Sequence, residues 1–318
     1  MMKAALIVGI NTYTNMPDNS LSGCLTDALT LRELLSNNSL DGSPNFDCRL
    51  LSGEEETTAP FIRENLEELF NRDVDVALFY FSGHGTIGIT GGYLVTSDAA
   101  KHQVGINMAE VMTMAQKSKI RNKIIILDCC HAASMGDVPA VGDNTVISEG
   151  ITVLSSCRQC EYSLENDAGG VFTALLAEAL RGGAADLVGN ITPGSIYAYI
   201  DNALGAWEQR PVFKTNVSRF VSLRQVSPPI ATDCLRRICQ YFNTKYSQFQ
   251  LDPSYEFTSP SANQEHVKIF KELQKMAGVG LIVPVEAEHM YFAAINSTAC
   301  RLTALGAHYW SLVKSKKI

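Results

Sequence analysis

The chain reads as an α/β protein: a mostly parallel sheet covered by helices on both faces, followed by a small α+β module. Three observations lead there. Runs of apolar, partly β-branched residues, such as Val76–Phe81 and Ile124–Leu127, are what strands buried on both faces look like. Segments with helical spacing alternate with these runs, the pattern of parallel strands joined by helical crossovers. Charge is also unevenly divided. Residues 1–230 hold 16 Lys+Arg against 26 Asp+Glu, whereas residues 231–318 hold 10 against 7, which marks a boundary near 230.

The elements follow in order. Lys3–Ile10 is a first strand, and Asn11–Ser20 a loop rich in turn residues. Leu21–Ser36 carries apolar residues at 21, 25, 28, 29, 31, 34 and 35, a helical face. Asp47–Leu51 is a second strand and Ala59–Phe70 a second helix, with Pro60 suited to its first turn. The third strand ends at Phe81, and glycines with β-formers over Thr86–Thr96 predict a hairpin beside its end. Met108–Gln116 is a helix and Ile124–Leu127 a fourth strand. Ala132–Gly150, rich in small residues and without periodicity, is a long loop. Ile151–Ser155 resumes the sheet, Val171–Leu180 and Ser195–Trp207 are helices, and Pro211–Leu223 closes with an alternating strand.

Ser227-Pro228-Pro229 is a linker signal. The domains are therefore read as 1–222, a linker over 223–232, and a module over 233–318. In the module, Asn263–Met276 is a helix, Gly280–Val285 a strand, Glu286–Glu288 a turn, Met290–Ile295 a returning strand and Leu302–Val313 a last helix. Helix, two-stranded wing and closing helix is a winged-helix-like order.

Composition narrows the function. Of 318 residues 46% are hydrophobic, ample for a core, and the net charge of −7 argues against wholesale binding of nucleic acid or an anionic membrane. Nine cysteines, an odd number without regular spacing, suit a reducing compartment, so a cytoplasmic location is expected. The apolar start is too short and too quickly polar for a signal peptide, and no run approaches the length of a membrane span.

Two of the buried runs end in reactive residues. One closes with Ser82-Gly83-His84-Gly85 and the other with Asp128-Cys129-Cys130-His131. Sites assemble at the carboxyl ends of strands in open α/β sheets, so a histidine and a cysteine 46 positions apart can meet there. A cysteine attacks as thiolate and needs a neighbour that takes its proton, which His84 supplies to Cys130. The amides of Gly85 and Cys130 could then receive the oxyanion. Any one of these residues alone is ordinary, since a buried cysteine is most often a small hydrophobe. The two motifs together point to a cysteine hydrolase.

These motifs resemble the histidine and cysteine motifs of the caspase-like clan of cysteine peptidases, in particular its metacaspase-like and bacterial branches. The resemblance extends to the opening strand with Gly9-Ile10-Asn11, to Leu21–Ala28, and to Ser155-Ser156-Cys157 through Gly170-Val171-Phe172-Thr173. It spans residues 1–222 and implies a caspase-like three-layer sandwich. It also implies an endopeptidase that works through a thioacyl-enzyme on a Cys130–His84 dyad, with protein or peptide substrates. In the family the nucleophile directly precedes the motif's histidine, hence Cys130. Strand alternation agrees, because Cys129 and Cys130 face opposite sides and Asp128 shares the side of Cys130. Cys129 is then a packing residue, and His131 a structural or loop-positioning one.

The resemblance also bears on specificity. Members that cut after aspartate use pocket arginines, and none stands between Asn11 and Leu25 or just before Cys130. Cys24, Asp27, Ser82 and Asp128 instead match the positions that line the basic-residue pocket of metacaspases, which cut after Arg or Lys. Calcium-dependent members carry several acids after the histidine motif. Here Gly88–Asp98 has only Asp98, too few for a Ca²⁺ site, so no cofactor or metal is expected. No Lys or Arg stands between His131 and Arg158, so self-cleavage there is not expected. Control by a protein partner, by another protease or by the C-terminal module fits better. Cys157 and Cys160 form a lone Cys-x-x-Cys, read as coincidence. The module's net charge of +3 makes nucleic acid an unfavoured partner. The rival readings are a catalytically silent caspase-like scaffold and a nucleic-acid-binding regulator acting through the module.

Overall fold

The computed structural model describes residues 1–101, 103–129, 147–156, 165–166, 169–204 and 210–318. They form two compact units, one of residues 1–186 with 190–226 and another of residues 187–189 with 227–318.

The first unit is built on a six-stranded sheet. β1 (Lys3–Gly9) is flanked by β2 (Asp47–Leu51) and β3 (Val76–Ser82), β3 by β7 (Asn122–Asp128), β7 by β8 (Ile151–Ser155), and β8 by β12 (Val212–Asn216). All pairings are parallel except the last, where β12 runs antiparallel along the edge. Every residue of β3, β7 and β8 is buried, which is why these segments read as unbroken apolar runs rather than alternating ones. Alternation still divides them between two cores. Leu6, Val8, Phe79, Phe81, Ile125 and Leu127 pack in one, with α2 (Ala59–Asn71) and α3 (Met108–Lys117). Ala5, Ile7, Leu78, Tyr80, Ile124 and Ile126 pack in the other, with α1 (Cys24–Ser36), α4 (Val171–Glu178) and α5 (Pro193–Ala203).

The expected hairpin is a three-stranded antiparallel sheet of β4 (Gly85–Gly88), β5 (Gly91–Ala100) and β6 (Gln103–Asn107). The closing strand is shorter than the Pro211–Leu223 reading, because after Asn216 the chain leaves the edge and Leu223 turns into the core. A short pair, β11 (Asn190–Ile191) with β13 (Arg224–Gln225), carries the chain through the linker region, and Val226 is also buried in this unit.

The second unit holds α6 (Thr232–Arg236), α7 (Ile238–Tyr241), β14 (Gln248–Gln250), α8 (Gln264–Gly278), β15 (Ile282–Val285), α9 (Met290–Ile295), β16 (Ala299–Leu302) and α10 (Ala304–Lys314). Its antiparallel sheet has the order β14-β16-β15. The returning strand expected at Met290–Ile295 is instead the helix α9, and the strand comes later, at Ala299–Leu302. The aromatic pair Tyr291-Phe292 gives the segment a strand-like composition. However, Met290, Ala293 and Ala294 are its buried residues, a helical spacing. Among the described residues, no helix is long and apolar enough to cross a membrane.

One close approach positions α1. A Cβ at Gly9 would lie 2.5 Å from the Cys24 carbonyl oxygen and 2.8 Å from the Ala28 Cβ, so only glycine lets the helix start sit against the end of β1. Gly9→Ala is expected to destabilise the first unit by ~1–3 kcal/mol, lowering its thermal transition by about 2–4 °C per kcal/mol. Gly278→Ala, in helix α8 of the second unit, where an added Cβ meets nothing within 4 Å, should not lower melting and is expected to stabilise by ~0.4–1 kcal/mol.

Candidate active site

The site sits where three strands end level. Gly9 lies opposite Ser82 and Ser82 opposite Asp128 in the parallel register. Beyond these ends the chain is knitted across strands. Ile10 N–H donates to the Ser82 carbonyl at 3.0 Å, and Gly83 N–H to the Asp128 carbonyl at 3.3 Å.

His84 follows in that turn and is held from three sides. Its backbone N–H donates to the Tyr13 hydroxyl at 2.8 Å, its carbonyl accepts from Val95 N–H at 2.9 Å, and its ring packs on Tyr13 with centroids 5.0 Å apart. Its Nε2 lies 2.6 Å from the Asn19 carbonyl oxygen. A carbonyl only accepts, so Nε2 carries the proton in that bond, and Nδ1 of the neutral ring is left to accept one. Gly85 is half-buried at the start of β4, opposite Leu94.

The acids meet on the other core's side of the strand ends. Asp27 and Asp128 are each 6% exposed. Asp27 lies in the first turn of α1, where the helix dipole favours a carboxylate. Asn11 fixes that helix start, its side-chain oxygen accepting from Leu25 N–H at 3.1 Å and its amide donating to the Ser22 carbonyl at 3.2 Å. Asp27 Oδ2 accepts from the Ser82 hydroxyl and from Gly170 N–H, both at 3.3 Å. Asp128 Oδ2 accepts from the Thr173 hydroxyl at 2.7 Å and from Thr173 N–H at 3.3 Å. Because the Thr173 hydroxyl spends its proton on Asp128, it must accept from the Tyr80 hydroxyl 2.7 Å away. Burial, and then the charges of Asp128 and Asp27, push the Tyr80 phenol well above its usual range, so it stays a donor. Gly170 backs the pair: a Cβ there would lie 2.5 Å from Asp128 Oδ2 and 3.4 Å from Asp27 Oδ2. Cys24 is buried at the first residue of α1.

Cys129 is buried in the core that holds Phe81 and Leu127, on the face away from Asp128. Cys130, His131, the first part of the Ala132–Gly150 loop, and Cys157 and Cys160 lie outside the described residues.

A family model described as the caspase domain matches residues 2–221. The chain belongs to the caspase-domain family, peptidase family C14. No curated protein sequence matches it. Solved structures agree on the fold. A Geobacter sulfurreducens protein superposes with a TM-score of 0.53 at 14% identity, covering 71% of this chain and all of its own. Caspase-1 of Spodoptera frugiperda superposes with a TM-score of 0.51 at 15% identity, covering 71% of this chain and 90% of its own. The caspase domain thus contains every candidate site residue, from Cys24 to Cys130.

Four residues that sequence reasoning missed shape the site in this caspase domain: Tyr13, Asn19, Gly170 and Thr173. Gly170 and Thr173 stand in a segment that carries the family resemblance, but nothing in the sequence showed that they meet Asp27 and Asp128. Asn19 acts through its main chain and leaves no side-chain signal. Asp98, the lone acid of the Gly88–Asp98 stretch, is occupied by Ala59 N–H, Thr96 and Gln103. Among the described residues, no group of three or more His, Cys, Asp or Glu is arranged to hold a metal ion.

Thr173→Val should leave the Tyr80 hydroxyl and Asp128 Oδ2 each short of a buried partner. The expected loss is ~1–3 kcal/mol, chiefly from the buried Tyr80 hydroxyl that loses its Thr173 acceptor, read by chemical denaturation. Thr173→Ser, which keeps the hydroxyl, should recover most of it.

Proposed function

We propose that the protein is a cysteine endopeptidase that cuts after Arg or Lys, with Cys130 as nucleophile and His84 as base. The observation that carries the reading is the convergence of Asp27 and Asp128, with Ser82, on one buried spot beside the turn that bears His84. Two desolvated carboxylates favour a cationic side chain over a neutral or acidic one. In sequence, His84 and Cys130 each follow the Ser82–Asp128 pair of adjacent strands by two residues, which supports the dyad.

In this mechanism Nδ1 of His84 takes the thiol proton of Cys130, and the thiolate attacks the scissile carbonyl carbon. The Gly85 amide, with that of Cys130, receives the developing oxyanion. Collapse breaks the C–N bond, and His84 returns the proton to the leaving amine. A water molecule, deprotonated by the same Nδ1, then cleaves the thioester, and the thiol recovers its proton. The Asn19 carbonyl holds the ring and stabilises the imidazolium through Nε2–H.

Specificity is tested by a library scan at the residue preceding the cut, using the full chain. Arg and Lys should dominate, and Cys130→Ala should abolish turnover. Asp27→Asn and Asp128→Asn should each lower kcat/KM on an Arg substrate by at least about tenfold, the ~1.4 kcal/mol low end for a desolvated charge pair. A preference for Asp would overturn the pocket. Activity retained in EDTA is expected, and a strict need for Ca²⁺ would count against the reading of Asp98.

The second unit is proposed as an interaction module that restrains or targets the peptidase, with release by a protein partner or by another protease; the helix α9 between β15 and β16 stands where the winged-helix reading required a two-stranded wing. Its helix α8 offers a nucleic acid only Lys268, Lys271 and Lys275, too few to neutralise a run of phosphates. A chain ending near Val226 should differ from the full chain in peptide turnover or substrate choice, and identical behaviour of the two folded proteins would remove the regulatory role.

A further inference from the structure

The opposite end of the sheet carries a second concentration of charge. A cavity of about 960 Å³ opens at the amino-terminal ends of β1 and β7, within the caspase domain. Lys3, Lys119, Arg121, Lys123 and Arg219 line it, with Glu149 as the single acid. In a chain of net charge −7, five cations against one acid is a local reversal of sign.

None of the five cations makes an ion pair within 4 Å among the described residues, although Arg49, Arg63, Arg72, Arg181 and Arg210 of the same domain all do. Lys123 is the most telling. It is 5% exposed, and its ammonium, with three protons to donate, has one hydrogen bond among the described residues, to the Glu149 carbonyl at 3.3 Å. Lys3 donates to two neutral oxygens, Asn45 Oδ1 and the Ser222 carbonyl, each at 2.8 Å. Burial lowers the pKa of both lysines, Lys3 to about 8, and at Lys123 burial outweighs the opposing charge of Glu149. A buried cation is ordinarily paired, so this cavity is built for an anion that comes from outside the chain.

We propose that this cavity binds a small molecule carrying two or more phosphates. The volume lies at the upper end of small-molecule sites, far more than one phosphate needs. Lysine point charges at the cavity wall with exposed arginine forks at its mouth match phosphate geometry, and their density exceeds what the spaced carboxylates of an extended peptide would use. The site is separate from the peptidase centre. Lys123 and Asp128 stand five residues apart on β7, ~16 Å at about 3.3 Å per residue.

Calorimetric titration of the full chain with inorganic tripolyphosphate, at low ionic strength, tests this. Saturable one-to-one binding that weakens steeply with added salt is expected. The double variant Arg121→Ser/Arg219→Ser alters two exposed side chains, so folding is preserved, and it should weaken binding at least about tenfold, the order expected for two charge-assisted contacts. ATP binding more tightly than tripolyphosphate would support a nucleoside polyphosphate as the source, and equal affinity would support recognition of the phosphates alone. No saturable binding of tripolyphosphate, binding indifferent to the double variant, or tighter binding of a polyglutamate peptide would each overturn the proposal.

Discussion

The parallel register across β1, β3 and β7 is the constraint on which the site depends. It sets Gly9, Ser82 and Asp128 side by side at the end of the sheet. From that level β1 and β3 release their chains into turns at the same height. The turn after β3 brings His84, β7 ends in Asp128, and the tight seat at Gly9 lets α1 bring Asp27. A slip of one residue in any of these pairings would invert which side chains reach which core. The unbroken burial of β3 and β7 prevents it, because both faces are already committed to large apolar groups.

Holding two carboxylates together inside a protein is unfavourable unless donors surround them. The caspase domain supplies these from elements distant in sequence. Ser82 and the Gly170 amide serve Asp27, while Thr173, itself fed by Tyr80, serves Asp128. The order of donation is fixed, since each hydroxyl has one proton to give, and this fixes the rotamers as well. Such a network is stiff and fails as a unit if one member is lost. Gly170 completes it by having no side chain where one would collide with Asp128 Oδ2.

Much of this was legible in the amino-acid order, for identifiable reasons. Strands buried on both faces announce themselves as apolar runs, so β3, β7 and β8 were plain. His84 and Asp128 stood out because polar residues at the ends of such runs have few structural excuses, whereas Asp27, inside a helix, stood out only through the family resemblance. Thr173 and Gly170 stand out in sequence only within the family resemblance, since their roles come from contacts across more than forty positions. In the second unit, Tyr291 and Phe292 favoured a strand by composition, and burial of Met290, Ala293 and Ala294 decided for a helix. Local preference gave way to tertiary packing there. The basic cavity was invisible for a similar reason. Lys3, Lys119, Arg121, Lys123 and Arg219 are scattered in sequence and gather only when the strand starts align.

The histidine's orienting partner is a main-chain oxygen, that of Asn19. Every residue type possesses that atom, so no exchange of side chain at position 19 can delete it. What must persist through mutation is the path of the loop between β1 and α1, held by Tyr13, by Asn11 and by the Leu21 N–H bonded to the Asn11 carbonyl at 2.8 Å. The alignment of His84 is therefore inherited as a shape, and position 19 is free to drift in sequence while a shortened or lengthened loop would displace the ring.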